Sequence, residues 1–333
     1  MKGRQVILGE VGDFEAAALI VDGQLEDLMV DSNAARVGTI YRAKATRPVK
    51  GQGGMFFDTP DGSGFMRGAK GLAPGDIMLV QVSGHSEPGK AIPITSKLLF
   101  KSRYAIVTPE APGVNISRSV RDEEERGRIR AAAETDAAES CGYGIILRSA
   151  CAGADEDAIA EDVDAMVALA GAVMNDDGSG IETLTEGDGP HVLAWRDWQA
   201  DDARDGDMAD ILDEAQSIET RLSGGASMTV EPTRAFVAVD VNTGRDTTPA
   251  AGMKANIAAA RVLPRALRLR GLGGQIVVDF APMPKKDRKG LESALRAACR
   301  ADDVETALVG WTPMGHFELN RKRARPVLAD VLR

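Results

Sequence analysis

Cysteine is scarce in this 333-residue chain: Cys141, Cys151 and Cys299 are the only three. They form neither a CxxC pair nor a cluster with histidine, which argues against a disulfide-stapled fold and a structural zinc site and fits a reducing cytoplasm. No run of about 18 apolar residues occurs, so no membrane span is expected. The opening MKGRQVILGEVGDFEAA has no apolar core and meets acid by Glu10, so no signal peptide is expected. Positive charge is also short. Forty Lys and Arg stand against 50 Asp and Glu, a net −10, which taken whole argues against a nucleic-acid partner. Apolar residues at 44 % are ordinary globular usage; that excludes a wholly disordered chain, and the length favours two or three domains.

The negative total hides a block pattern. Residues 36–103 hold 11 basic and 4 acidic side chains, residues 122–219 hold 6 and 27, residues 254–289 hold 9 and 2, and residues 319–333 hold 5 and 1. Two locally positive regions therefore flank a strongly acidic one, and each could face phosphate or simply solvate a helix.

Residues 1–31 alternate in short apolar runs, with Asp22-Gly23 between two of them; the dipeptide predicts a hairpin in a small antiparallel sheet. From 33 to 100, five short strand-like runs with glycine-rich turns predict a small Greek-key barrel of the oligonucleotide-binding type. Phe56, Phe57 and Phe65 fall near Lys44, Arg67 and Lys90, the mixture a single-strand groove uses. Alternation puts Phe56 and Phe57 on opposite faces, so one of the two is core. Further on, strands are expected at 103–107 and 144–149, and helices at about 122–140, 155–174 and 207–221. In the last third, Ala235–Asn242 and Gln275–Phe280 read as buried strands joined by a helix near 254–270, with another helix near 288–301. That order is a βαβ unit with parallel strands.

A parallel crossover places both strand ends on one edge, so Asp240 and Asp279 project into the same crevice. Asn242, two residues on, shares the face of Asp240. Paired carboxylates repel unless a proton or cation lies between them. Oxygen donors without histidine or cysteine suit a hard cation such as magnesium, and the nearby Arg268, Arg270, Lys285, Lys286 and Arg288 could hold phosphate. Magnesium beside phosphate points to phosphodiester chemistry. The plainer alternative is that each Asp caps a turn or pairs with an arginine.

These residues carry a resemblance. The chain resembles the ribonuclease E/G family of bacterial endoribonucleases, most strongly through Gln216-Ser217-Ile218-Glu219, Leu222-Ser223-Gly224-Gly225, Val239-Asp240-Val241-Asn242-Thr243-Gly244-Arg245 and the run from Leu267 to Phe280. The resemblance implies an α/β (α+β multidomain) chain. An RNase H-like subdomain at 1–32 and 186–224 would be interrupted by an S1-type OB-fold RNA-binding domain at 33–100 and a 5′-sensor region at 101–185. A DNase I-like catalytic subdomain would follow at 225–333.

It also implies roles. Asp240 and Asp279 would bind Mg2+, with Asn242 assisting. Arg148 and Ser149, with Arg118 from the Asn115-Ile116-Ser117-Arg118 stretch, would contact a 5′-monophosphate. Phe56, Phe65, Lys90, Arg245, Arg268 and Arg270 would touch RNA. The expected activity is cytoplasmic endoribonuclease cleavage of single-stranded ribosomal, transfer or messenger RNA precursors, leaving 5′-phosphate and 3′-hydroxyl ends. A non-catalytic RNA-binding protein and a DNA-directed or other phosphodiesterase are the competing expectations. Two departures stand out. Thr312-Pro313-Met314-Gly315 replaces the family's usual Ser-Arg-Phe-Gly, and the chain stops at Arg333 before any Cys-Pro-x-Cys zinc link. The expectation is therefore that the family's zinc-linked tetramer does not form.

Overall fold

A computed structural model describes residues 3–49, 51, 53–87, 89–198, 203–246, 248 and 250–332. The chain forms two bodies: Met1–Ser32 together with Ala200–Arg333, and Asn33–Gln199. The sequence reading grouped 186–199 with the N-terminal segment, whereas here those residues belong to the second body.

In the first body, strands Arg4–Val11, Phe14–Val21 and Gln24–Val30 form an antiparallel meander, with Ala203–Asp205 added parallel to the first of them. Asp22 (φ 51°) and Gly23 (φ 82°) make the expected turn, the left-handed pair that matches strand twist. A six-stranded sheet follows in the order Glu219–Arg221, Ser227–Pro232, Val237–Asn242, Gly274–Asp279, Phe317–Arg321, Thr306–Trp311. The Val237–Asn242 and Gly274–Asp279 strands are parallel and joined by the helix Ala251–Leu269, and all other neighbours are antiparallel. The helix buries Ala255, Ala259, Leu263 and Leu267 against Val239, Val241, Ile276 and Val278. Period 3.6 on the helix meets period 2 on the strands, and the two patterns together make the βαβ unit legible in the sequence. The helix predicted over 207–221 is shorter, Ala209–Gln216, and the remaining residues supply the edge strand at 219–221.

In the second body, Ile40–Val49, Gly54–Thr59, Gly62–Arg67, Ile92–Thr95 and Ile77–Val82 pair in that order. Ile40–Val49 also pairs with Ile77–Val82, closing a five-stranded barrel, as expected. Its core holds Tyr41, Ala43, Phe57, Val80 and Ile94. A second sheet runs Gly113–Ile116, Gly144–Leu147, Ala105–Thr108, Phe100–Lys101. The long acidic helix Glu156–Met174, capped by Asp155, packs Ile159, Val163 and Val167 on it. The helix expected at 122–140 is two helices, Glu123–Ala132 and Asp136–Ser140. Thr135 breaks it because its hydroxyl accepts from Ala138 N at 3.1 Å as a new N-cap. No helix among the described residues is long and apolar enough to cross a membrane.

Candidate nuclease site and nucleic-acid contacts

The strand Val237–Asn242 buries Val237, Val239 and Val241 and leaves Asp240 and Asn242 exposed on the opposite face. In Gly274–Asp279, Ile276 and Val278 are buried and Asp279 is exposed. The parallel register sets Asp240 directly beside Asp279, so alternation and crossover together bring both carboxylates to one edge. Asn242 Nδ2 donates to Asp240 Oδ2 at 2.6 Å. Among the described residues, no lysine or arginine forms an ion pair with either carboxylate.

The sequence reading missed one neighbour. His316 Nε2 lies 3.9 Å from Asp279 Oδ2. It is placed by the return strand, whose Phe317 pairs with Val278, one residue before Asp279. The signal was available only as one of three histidines, just after the Thr312–Gly315 departure. Among the described residues, no group of three or more His, Cys, Asp or Glu could enclose a metal ion. The donor set is instead two open carboxylates steadied by one amide. Such a set suits a hard cation that takes its remaining ligands from water and phosphate oxygens.

The motif glycines position this edge. Gly244, at φ 66°, follows Asn242 closely, and a Cβ there would sit 2.2 Å from Gly225 O. The Leu222–Gly225 loop and the Asn242–Arg245 turn therefore pack backbone to backbone. Arg245 is exposed in that turn.

Arg268 and Arg270 depart from the expectation of RNA contact, since both are buried, each 8 % exposed. Arg268 pairs with Glu26 at 2.6 Å, with Asp27 at 3.3 Å and with Asp302. Arg270 donates to the carbonyls of Ala266 (2.6 Å) and Ser217, and burial pushes its guanidinium below its usual value. Arg268 lies on the last turn of the helix and Arg270 caps it, and both guanidiniums are taken up by partners inside the protein.

On the barrel, Phe57 is fully buried and Phe56 half-buried, as alternation requires. The Phe56 and Phe65 rings are 5.0 Å apart, and the Arg47 guanidinium lies 4.9 Å from the Phe56 ring centre. Phe56 and Lys90 line one shallow groove of about 400 Å3. Lys90 is otherwise paired with Glu87 at 2.8 Å. Phe65 also lines a second groove with Arg67, Lys70 and Lys97.

In the second sheet, Ile116 pairs in parallel with Leu147, so Arg118 and Ser149 follow strands that end side by side. Both are exposed. Arg148 is engaged: Nη2 donates to Asp197 Oδ1 at 2.5 Å and Nη1 to Ser102 O at 2.6 Å. Asp197 ends the helix Pro190–Asp197, which the sequence reading did not predict. Burial pushes the Asp197 carboxyl up, but hydrogen bonds from Arg196 and Arg148 outweigh it and hold the group below its ordinary value.

Comparison of the whole chain with known proteins gives one consistent likeness. The model of the ribonuclease E/G family matches residues 100–204 and 204–324. A protein named Ribonuclease E from Nostoc sp. (strain PCC 7120) is 27 % identical over 386 residues, covering 96 % of this chain and 56 % of that protein. Ribonuclease G of Salmonella typhimurium is 26 % identical, covering 95 % of this chain and 79 % of that protein. Ribonuclease E of Synechocystis sp. is 26 % identical, covering 96 % and 57 %. The chain thus spans just over half the length of the two cyanobacterial relatives.

Proposed function

The chain belongs to the ribonuclease E/G family, and from that premise we propose that it is a magnesium-dependent endoribonuclease acting on single-stranded RNA. The register pairing of Asp240 with Asp279, free of any lysine or arginine partner among the described residues, carries this reading. Two adjacent carboxylates left without a counter-charge repel, and a site that binds a cation uses that repulsion. Asp240 and Asp279 would hold the ion, which when bound supplies a Lewis acid for the scissile phosphate. Asn242 fixes the Asp240 carboxylate through its 2.6 Å hydrogen bond. His316 Nε2, 3.9 Å from Asp279 Oδ2, flanks the same edge.

The barrel's Phe56 and Phe65, with Arg47 and Lys90 beside them, supply a stacking surface ringed by charge for unpaired bases. Arg118, Arg148 and Ser149 present donors for a 5′-monophosphate. The products would carry 5′-phosphate and 3′-hydroxyl ends.

The test is cleavage of a 5′-monophosphorylated single-stranded RNA by the purified chain, with single-stranded DNA of the same sequence alongside. Cleavage of RNA that requires magnesium and disappears in Asp240→Asn and Asp279→Asn supports the reading. Cleavage that survives either substitution, or chelation, overturns it. Tight RNA retention with no cleavage at any magnesium concentration would instead assign the chain to RNA binding alone.

A further inference from the structure

The Leu222–Gly225 loop does more than pack against Gly244. It forms one wall of a groove of about 660 Å3 whose other wall is the outer face of the helix Ala251–Leu269. Lys254, Arg261 and Arg265 line that face at intervals of seven and four residues, the spacing of a single helical stripe. Arg221 stands on the opposite wall. Arg221, Lys254 and Arg261 are exposed, and among the described residues none of the three is ion-paired. Among the described residues Asp246 is the one acid lining the groove; its carboxylate accepts from Thr248 N at 2.9 Å, and that bond together with the nearby Lys254 charge holds it below its ordinary value. The floor is apolar, built from Leu222, Ala226, Ile257 and Val262.

Thr243, the residue after Asn242, lines the groove, whereas Asp240, Asn242 and Asp279 project from the sheet face opposite the one the helix covers. Lys254 and Arg261 are about 10 Å apart along the helix axis at 1.5 Å per residue. A strand carrying regularly spaced phosphates can engage such a stripe along its length.

We propose that this groove is a binding surface for single-stranded RNA on the body that carries the paired carboxylates, with phosphates on Lys254, Arg261 and Arg221 and the ribose and base faces on the apolar floor. Exposed cations of one sign above an apolar floor fit a nucleic-acid strand. The proposal rests on reading the chain as an RNA-cleaving enzyme, yet its test requires no cleavage.

The test is binding of a fluorescently labelled single-stranded RNA of about 15 nucleotides to the full chain, in chelator, across a salt series. The Lys254→Gln/Arg261→Gln pair should weaken binding about tenfold at low salt. It should also flatten the dependence of log K on log salt by about 1.4, since each phosphate contact on a single strand contributes about 0.7. An Arg296→Gln/Arg300→Gln pair removes the same charge from the exposed face of the helix Arg288–Ala301 and should bind like the parent. Equal losses in both pairs, or no loss in the first while its melting temperature matches the parent, overturns the groove. A change in solution mass at unchanged RNA affinity also overturns it and assigns the groove to a second copy of the chain. Loss of cleavage in Asp279→Asn bears only on the nuclease reading, and the binding result stands apart from it.

Discussion

Arg148 donates to Asp197 across 2.5 Å, and the same carboxylate also accepts from Arg196 at 2.9 Å. The arginine proposed to contact a 5′-phosphate is thus already held by an anion of its own chain. A terminal phosphate must share or displace that carboxylate. Asp197→Asn removes the competing charge while keeping the shape. The pair is partly exposed, and such pairs are worth up to about 1 kcal/mol. The expected outcome is a preference for 5′-monophosphorylated over 5′-hydroxyl RNA that rises by up to about fivefold, read as the ratio of kcat/KM values. An unchanged ratio would remove Arg148 from 5′-end sensing.

Acid should loosen the same body through its carboxylates. The Arg128 guanidinium, followed by the Gly153 N–H, holds the Glu125 carboxyl down at about 2 from its usual 4.5. A carboxyl lowered on folding contributes stability that is complete above its unfolded value and is lost as pH falls through the folded one. The contribution of Glu125 is therefore full above about 4.5 and fades toward about 2. Asp197, also lowered, acts in the same direction. Glu125→Gln should be less stable than the parent at neutral pH, and the gap should close as pH falls. Urea midpoints measured from about pH 7 to about pH 3 check this; a gap that widens in acid would contradict it.

Two adjacent phenylalanines should behave as opposites. Phe57 fills the barrel core, and half-buried Phe56 meets Phe65 at a tilt of 51°. Phe57→Ala opens a core cavity and should cost about 3–5 kcal/mol of stability, measured by denaturant unfolding. Phe56→Ala should leave the midpoint nearly unchanged and weaken single-stranded RNA binding by about 1–3 kcal/mol, the worth of one stacked base. Similar stability losses in both variants would mean that Phe56 is structural.

These contrasts show what the sequence reveals and what it hides. Alternation in Val237–Asn242 was enough to put Asp240 and Asn242 together, and the crossover helix added Asp279, because all three depend on local periodicity and one topological rule. The Phe56–Phe57 split was legible for the same reason. Arg268 and Arg270 were not. Their partners, Glu26, Asp27, Ser217 and Asp302, lie at distant positions in the chain, and nothing near a helix-end arginine tells whether its charge turns inward. His316 was hidden because its place depends on the register of an antiparallel return strand. The helix bearing Asp197 begins with Pro190 after Gly189 and is only eight residues long, too short to show a period.

The 2.6 Å contact between Asn242 and Asp240 leads to the most selective prediction. An amide that fixes a ligating carboxylate should matter for holding the cation more than for binding the strand, and loss of such an orienting partner typically costs 10- to 100-fold in metal affinity or activity. Asn242→Ala should therefore raise the magnesium concentration giving half-maximal cleavage by about 10- to 100-fold. RNA affinity measured in chelator should stay at the parent value. Asn242→Gln places the same amide one methylene further out and should recover little, because the hydrogen bond is set by a two-residue offset on one strand face. If Asn242→Ala instead lowers the maximal rate at an unchanged magnesium requirement, the amide acts on the phosphate rather than on Asp240. An unchanged rate and requirement together would leave the contact with no part in the reaction.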